Sequence, residues 1–205
     1  MTNALPASEA GGVTPRLSDD IYRFTGGRGA TRGIKLFLRD RCFRPLVTLR
    51  LRQATRDRKY GRLLLPVIWL VHRANCRRAG IELPLHASIG PALAIHHGWG
   101  LVVNGKARIG ANVTLLHGVT LGQADRIAED GARTTGYPVI EDDVWIGPHA
   151  VVVGPVRIGR GSRILANSVV ADDVPSQALV GGIPARVLRE DCLPDVMHRV
   201  ELPGV

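Results

Sequence analysis

The sequence predicts a mainly β chain, a parallel β-helix of triangular section preceded by a short α-helical cap. Three observations carry that expectation. Aliphatic residues recur every six positions from Ile89 to Val170, with two interruptions. Glycine follows several of them directly, at Gly90, Gly110, Gly122, Gly147 and Gly159. The first 80 residues lack this repeat and read instead as basic, amphipathic helix.

Taken in order, the elements begin with residues 1–18, a small, polar stretch expected to be a flexible N-terminus. It has neither the basic nor the apolar region of a secretory signal. Residues 19–80 form the expected cap. Within it, IKLFLRDRCFRPLVTLRLRQ and GRLLLPVIWLVHRANCRRAG read as two amphipathic helices interrupted by Pro45 and Pro66. The longest apolar run, Leu63 to Val71, is too short to span a bilayer. Three widely spaced cysteines suggest neither a disulfide framework nor a zinc cluster, and a cytoplasmic setting fits best.

The formal charge of +9 is unevenly distributed. Residues 1–80 carry 17 Lys/Arg against 5 Asp/Glu, leaving 10 against 13 for the remainder. The high isoelectric point therefore belongs to the cap. Its basic face is read as solvated surface, with peripheral contact to an anionic membrane as the sharper alternative. No aromatic-interleaved platform supports nucleic-acid binding, which is not expected.

Residues 81–189 carry the repeat. One train runs Val103, Ile109, Leu115, Leu121, and a second runs Ile140, Ile146, Val152, Ile158, Ile164, Val170. Ile89 and Ile95 precede them, two residues out of phase. A helix repeats at 3.6 and an amphipathic strand at 2, so a step of six describes short strands wound around a triangular prism. Each aliphatic residue points inward and stacks on its equivalent one coil away. Two irregularities break the regularity. The step from Ile95 to Val103 is eight, which places a bulge near HHGWG. The step from Leu121 to Ile140 is 19, which sends residues 123–138 out as a loop. A rigid scaffold with local excursions is where binding groups are found. Residues 190–205 are left as a C-terminal tail.

The stretch IELPLHASIGPALAIHHGWGLVVNGKARIGANVTLLHGVTLG, with YPVIEDDVWIG and the closing ALVGGIPARVL, resembles the serine acetyltransferase group of hexapeptide-repeat acyltransferases. The opening DDIYRFTGGRG and the short cap resemble the subgroup associated with surface-polysaccharide synthesis. The resemblance implies a left-handed β-helix, acetyl-CoA as co-substrate without a metal, and homotrimers that pair into hexamers in some members. It also implies that the family's Asp-His-x-x-Gly histidine corresponds to His97, within His96-His97-Gly98-Trp99-Gly100. An imidazole suits the task, since deprotonating an alcohol near neutrality needs a base that titrates there. Glu82, fifteen residues earlier, matches the aspartate that orients this histidine. Gly122, Gly147 and Ala166 fall where the pantetheine arm would lie, and Arg163 and Arg186 match basic positions available to the CoA phosphates.

The acceptor is a small polar molecule with a hydroxyl. Serine-using members carry Asp-His at the first turn and Arg-His-Pro at the loop end, charges that suit a zwitterion. This chain has His96-His97 and Gly136-Tyr137-Pro138 instead. Trp99 and Tyr137 offer faces suited to stacking on a sugar, so a sugar hydroxyl is the favoured acceptor. His96, His117 and Arg133 complete the acceptor candidates; the spacing allows His117 to stack on His97 one coil away, with an exposed corner histidine as the default alternative. Arg133 keeps L-serine open as the alternative, and a non-catalytic scaffold is the second alternative.

Overall fold

The computed structural model describes residues 15–203 of the chain. Sixteen short strands follow four helices: α1 (Leu17–Thr25), α2 (Ala30–Arg39), α3 (Phe43–Thr55) and α4 (Gly61–Ala79). The strands wind into three parallel faces. On one, Ile89 pairs with Ile109, Ile140 and Ile158 in succession. On the second, Ile95, Leu115, Ile146, Ile164 and Val180 stack in the same way. On the third, Val103, Leu121, Val152 and Val170 do. All twelve residues of the six-residue repeat are buried, none more than 4 % exposed. Their columns fill the prism, since β-branched side chains pack well between parallel strands buried on one face. Val174 and Val180 extend two columns after a shortened step that the six-residue count does not anticipate.

The expected loop 123–138 is a β-hairpin. Its strands Ala124–Ile127 and Arg133–Gly136 pair antiparallel, from Ala124 opposite Gly136 to Ile127 opposite Arg133. The last strand, Ala185–Arg189, turns back antiparallel on Leu179–Gly182 and closes the far end of the prism.

The cap has four helices where two were expected. Segment DDIYRFT forms most of α1, which begins at Leu17 inside the stretch expected to be flexible; residues 1–14 of that stretch lie outside the described residues. The next segment splits because the Asp40 carboxylate accepts the Cys42 N–H at 2.7 Å, a local turn that competes with continuing the helix. Pro45 then falls in the first turn of α3, where its missing N–H costs nothing. Pro66 lies inside α4 without ending it. The helix ends at Gly80, whose left-handed backbone (φ 67°) lets the chain turn into the first coil, with Ile81 N–H donating to Cys76 O at 3.0 Å.

Buried polar contacts fix the cap to the prism. Asp20 of α1 and Arg50 of α3 form a two-pronged ion pair at 2.7 and 2.9 Å, with both side chains almost fully buried. Arg50 also donates to the carbonyls of Ile89 and Gly90, and Asp20 accepts the Leu93 N–H. Such a pair specifies a geometry more than it adds stability, because its desolvation offsets much of the attraction. Arg23 reaches the first two coils through Ala92 O and the Thr114 hydroxyl. The tail after residue 189 is a strap rather than a loose end. Cys192 N–H binds Gln177 O, Arg199 holds Asp143 by two contacts of 2.9 Å, and Asn112 pairs twice with the Val200 backbone. It thus runs from the last coil back to the second, and Met197 O accepts from Arg23 of the cap.

Within the cap, the imidazole of His72 is buried between the Thr48 hydroxyl at 2.7 Å and Leu83 O at 2.6 Å. A carbonyl can only accept, so Nε2 carries the proton toward Leu83 and Nδ1 accepts from Thr48. Burial holds the ring below its ordinary 6.5, and hydrogen bonds to backbone carbonyls oppose this only partly. As pH falls, the unfolded imidazole binds its proton first, so stability present above 6.5 is lost below it. Denaturation midpoints are expected to fall as pH is lowered from about 7 to 5, by at most about 1.4 kcal/mol per pH unit from this one group. A His72→Gln variant should show a flatter profile over the same range; an unchanged slope would contradict the assignment.

Candidate functional site

The corner that follows the strand Ala94–His96 holds the candidate site. Backbone hydrogen bonds define its register. Gly118 N–H donates to Trp99 O, His149 N–H to His117 O, and Asn167 N–H to Pro148 O. Parallel neighbours pair this way when Trp99, His117, Pro148 and Ala166 occupy one column, with Gly100, Gly118, His149 and Asn167 in the next. The two extra residues of the first coil are therefore His97 and Gly98. His117 stacks over Trp99, not over His97 as the spacing had suggested. The eight-residue step shows that two residues bulge but not which two.

The bulge is braced from the cap. Gly98 is buried, and a Cβ added there would lie 2.6 Å from Ile95 Cγ2, 3.2 Å from Cys42 Sγ and 3.3 Å from Ile81 Cγ2. Gly100 N–H donates to Gly80 O at 2.7 Å, and Trp99 N–H turns back onto His97 O. His97 itself is exposed, with a left-handed backbone at φ 57°. That conformation is not diagnostic alone, since Ala92, Asn112 and Asp143 adopt it at another corner. What distinguishes His97 is that its coil uses the conformation twice at one corner, at His97 and again at Gly100.

Glu82 pairs through its backbone with Leu101 and Val103, beside the same corner, and its side chain is exposed between buried Ile81 and Leu83. No side-chain hydrogen bond joins it to His97 among the described residues. The orienting contact expected from sequence is thus unmade, because the pleat turns the carboxylate outward. His96 is half-buried, its ring 5.3 Å from that of Phe24 in α1. Burial, then the charges of Arg23 and His97, lower its pKa from 6.5, against a smaller opposing effect of Asp40. It is a neutral imidazole at pH 7. Asp40, in the turn between α2 and α3, is a carboxylate near this corner that the sequence reading missed.

The remaining candidates divide among places. Trp99 lies against Gly80, where a Cβ would come within 2.7 Å of its ring, and Arg41 sits 4.9 Å from the ring centroid. The ring thus contacts the cap while remaining 58% exposed. His117 meets the ring of His149 edge to face at 5.0 Å, and its Nδ1 is buried without a partner. His149 was missed because its kinship with this corner shows only once the register is known. Gly147 and Ala166 lie at the His97 corner, packed so closely that a Cβ on Gly147 would fall 2.8 Å from Ala166 N. Gly122 does not join them. It ends the strand Thr120–Gly122 across the third face, where the hairpin departs. Tyr137 stands at that same edge beneath Lys106, and Arg133 is held by Asp125 at 2.7 Å within the hairpin. Arg163 stacks 4.6 Å from Trp145 and pairs with Asp195 of the strap at 2.9 Å. That pair is half-exposed and worth about 0–1 kcal/mol, so it leaves the guanidinium available to another anion. Arg186 is exposed on the closing strand. Within one chain, then, the His97 corner and the hairpin are separated by a face of the prism.

The architecture and this corner define a class. Residues 137–172 match the bacterial transferase hexapeptide family (six repeats), and the three-faced prism is the left-handed parallel β-helix of such proteins. More particularly, the chain is similar to serine acetyltransferases. It is 46% identical to that of Bacillus licheniformis over 109 residues, 53% of this chain and 48% of the relative. The crystal structure of the Brucella abortus serine acetyltransferase in complex with coenzyme A superposes with a TM-score of 0.65 at 26% identity, covering 86% of this chain and 68% of that one. The soybean serine acetyltransferase complexed with serine gives 0.65 at 27%, covering 84% and 67%. The chain spans about half the length of the curated relative. These relatives give no support to the surface-polysaccharide subgroup.

A Gly98→Val substitution tests how tightly the bulge is built. Overpacking against Ile95 and Cys42 should cost about 1–3 kcal/mol, read as a lower denaturation midpoint. No change would show that the bulge has slack.

Proposed function

We propose that this chain is an acetyl-CoA-dependent O-acetyltransferase in which His97 is the general base, and that L-serine is its acceptor. The observation that carries the chemistry is an exposed imidazole on a two-residue bulge, braced by the cap beside a corner surfaced with small residues. His97 takes the proton of the acceptor hydroxyl as its oxygen attacks the acetyl carbonyl carbon. The carbon–sulfur bond then breaks, and the imidazolium returns the proton to the departing thiolate. Glu82 is a positioning residue whose carboxylate stabilises the imidazolium once acceptor binding draws the two together. The pantetheine arm lies along Gly147 and Ala166, and Arg163 and Arg186 meet the phosphates. The separation of the hairpin from the His97 corner supports a homotrimer, in which the hairpin of one copy reaches the corner of the next.

The relatives support serine, against the sugar acceptor that the sequence favoured. Asp40 supplies near this corner the negative charge that position 96 lacks, which suits an ammonium. One observation favours a sugar as a second reading: His96 is neutral, so the first turn offers no carboxylate of its own to an ammonium. Release of coenzyme A thiol with L-serine, compared with a panel of sugars, decides between them. Robust turnover of serine alone is expected; turnover of sugars alone would replace the acceptor assignment.

A His97→Asn variant should lose about 10²- to 10⁴-fold in kcat/KM while its denaturation midpoint stays unchanged, because the side chain is exposed. Glu82→Gln should lose less and shift the acidic limb of the pH–rate profile. Activity retained in His97→Asn would remove the base assignment.

A further inference from the structure

The cap carries an apolar surface that the prism does not use. Helix α2 is strongly amphipathic, yet none of its residues is buried. Ile34, Phe37 and Leu38 recur at helical spacing on one face and stand 62%, 39% and 66% exposed. A helix normally turns such a face into a core. The first half of α4 does the same over a longer stretch. Leu63, Val67, Trp69 and Leu70 are 80%, 62%, 50% and 63% exposed, and only Ile68 between them is buried. A concavity of about 450 Å³ opens beside them, lined by Arg52, Leu65, Pro66, Trp69, Leu85 and His86. Folded chains rarely leave runs of large apolar side chains this exposed unless something covers them.

The charge around this surface indicates what covers it. Arg32, Lys35 and Arg39 are exposed on α2, and Arg56, Arg58, Lys59, Arg62 and Arg73 surround the exposed half of α4. None of these has a carboxylate within salt-bridge distance among the described residues. A second copy seated face to face there would bring two sets of uncompensated cations together, which opposes that association. A nucleic acid would satisfy the cations and leave the leucines wet. No helix among the described residues is long and apolar enough to cross a membrane. The combination of exposed Leu, Phe and Trp with flanking Arg and Lys matches the interfacial plane of an anionic bilayer.

We propose that α2 and the first half of α4 seat the protein on anionic phospholipid, the apolar side chains entering the headgroup boundary and the arginines meeting phosphates. This is independent of the acetyl-transfer reading. The test is co-sedimentation of the full chain with vesicles of phosphatidylglycerol and phosphatidylcholine, and with phosphatidylcholine alone. Binding is expected to the mixed vesicles, and to weaken at 1 M salt, where the Debye length falls to about 3 Å. A Leu63→Glu/Leu70→Glu double variant should lose about tenfold or more in partitioning, with its midpoint and its acetyltransferase rate unchanged, since neither side chain is buried. An Arg58→Glu/Arg62→Glu variant, which keeps the apolar surface, should lose binding to the mixed vesicles only. Failure of the unaltered chain to bind mixed vesicles would overturn the proposal. So would equal binding to phosphatidylcholine, or a fall in solution mass of the leucine variant that shows a second copy to be the occupant.

Discussion

The prism on which the rest of the molecule is mounted depends on one constraint, that an inward aliphatic residue must meet its equivalent in the coil above and below. Ile146, for example, lies between Leu115 and Ile164, all three fully buried. Because the columns are continuous, each coil fixes the height and direction of its neighbours' corners. A corner residue's surroundings are then set by register rather than by sequence proximity. Irregularities cannot be absorbed inside the prism, where a displaced methyl group would leave a void. They are expelled to corners, which is where the bulge at His97 and Gly98 and the hairpin 124–136 both occur.

This explains how much of the molecule was legible from the residues. The period of six is a direct imprint of inward packing, so the prism, its twelve core positions and its two interruptions could be read in advance. The location of the bulge could not. A step of eight from Ile95 to Val103 allows several placements of the extra pair, and only the bond from Gly118 N–H to Trp99 O selects one. The pairing of His117 with Trp99 rather than His97 follows from that single contact. Helix limits in the cap were similarly hidden, since the split between α2 and α3 rests on one carboxylate, Asp40, capturing the Cys42 N–H. The C-terminal strap has no period at all. Its course depends on separate contacts to Gln177, Asp143 and Asn112, each distant in sequence.

The acceptor candidates show a different limit of sequence reading. Trp99, Tyr137 and Arg133 were chosen for what their side chains can do, but side chains near a corner are claimed first by their nearest neighbours. Arg41 and Gly80 lie against Trp99, Lys106 against Tyr137, and Asp125 pairs with Arg133. Chemical capacity is a property of residue type, whereas availability is a property of the fold. Charge at the corner shows the same distinction: a histidine at position 96 does not mean that the corner lacks a carboxylate. Asp40 arrives there from a turn more than fifty residues upstream, and its effect on His96 is an electrostatic one that no motif records.

The cap is therefore part of the site's construction and not merely a cover for the prism. Gly98 has no room because Cys42 and Ile81 press on it, and both come from the cap or its junction with the first coil. Gly80, the end of α4, accepts the Gly100 N–H and leaves space for the Trp99 ring. The bulge is thus gripped on one side by the repeat and on the other by α3 and α4. A two-residue excursion held only by its own backbone would sample many orientations, and an imidazole on it would rarely meet a hydroxyl in line with a thioester. Bracing by buried groups restricts the backbone of the bulge, which is the form of preorganisation that the proposed proton transfer requires. The ion pair of Asp20 with Arg50 sets where α1 and α3 rest on Ile89, Gly90 and Leu93, and so anchors the same cap whose Cys42 and Gly80 meet the bulge.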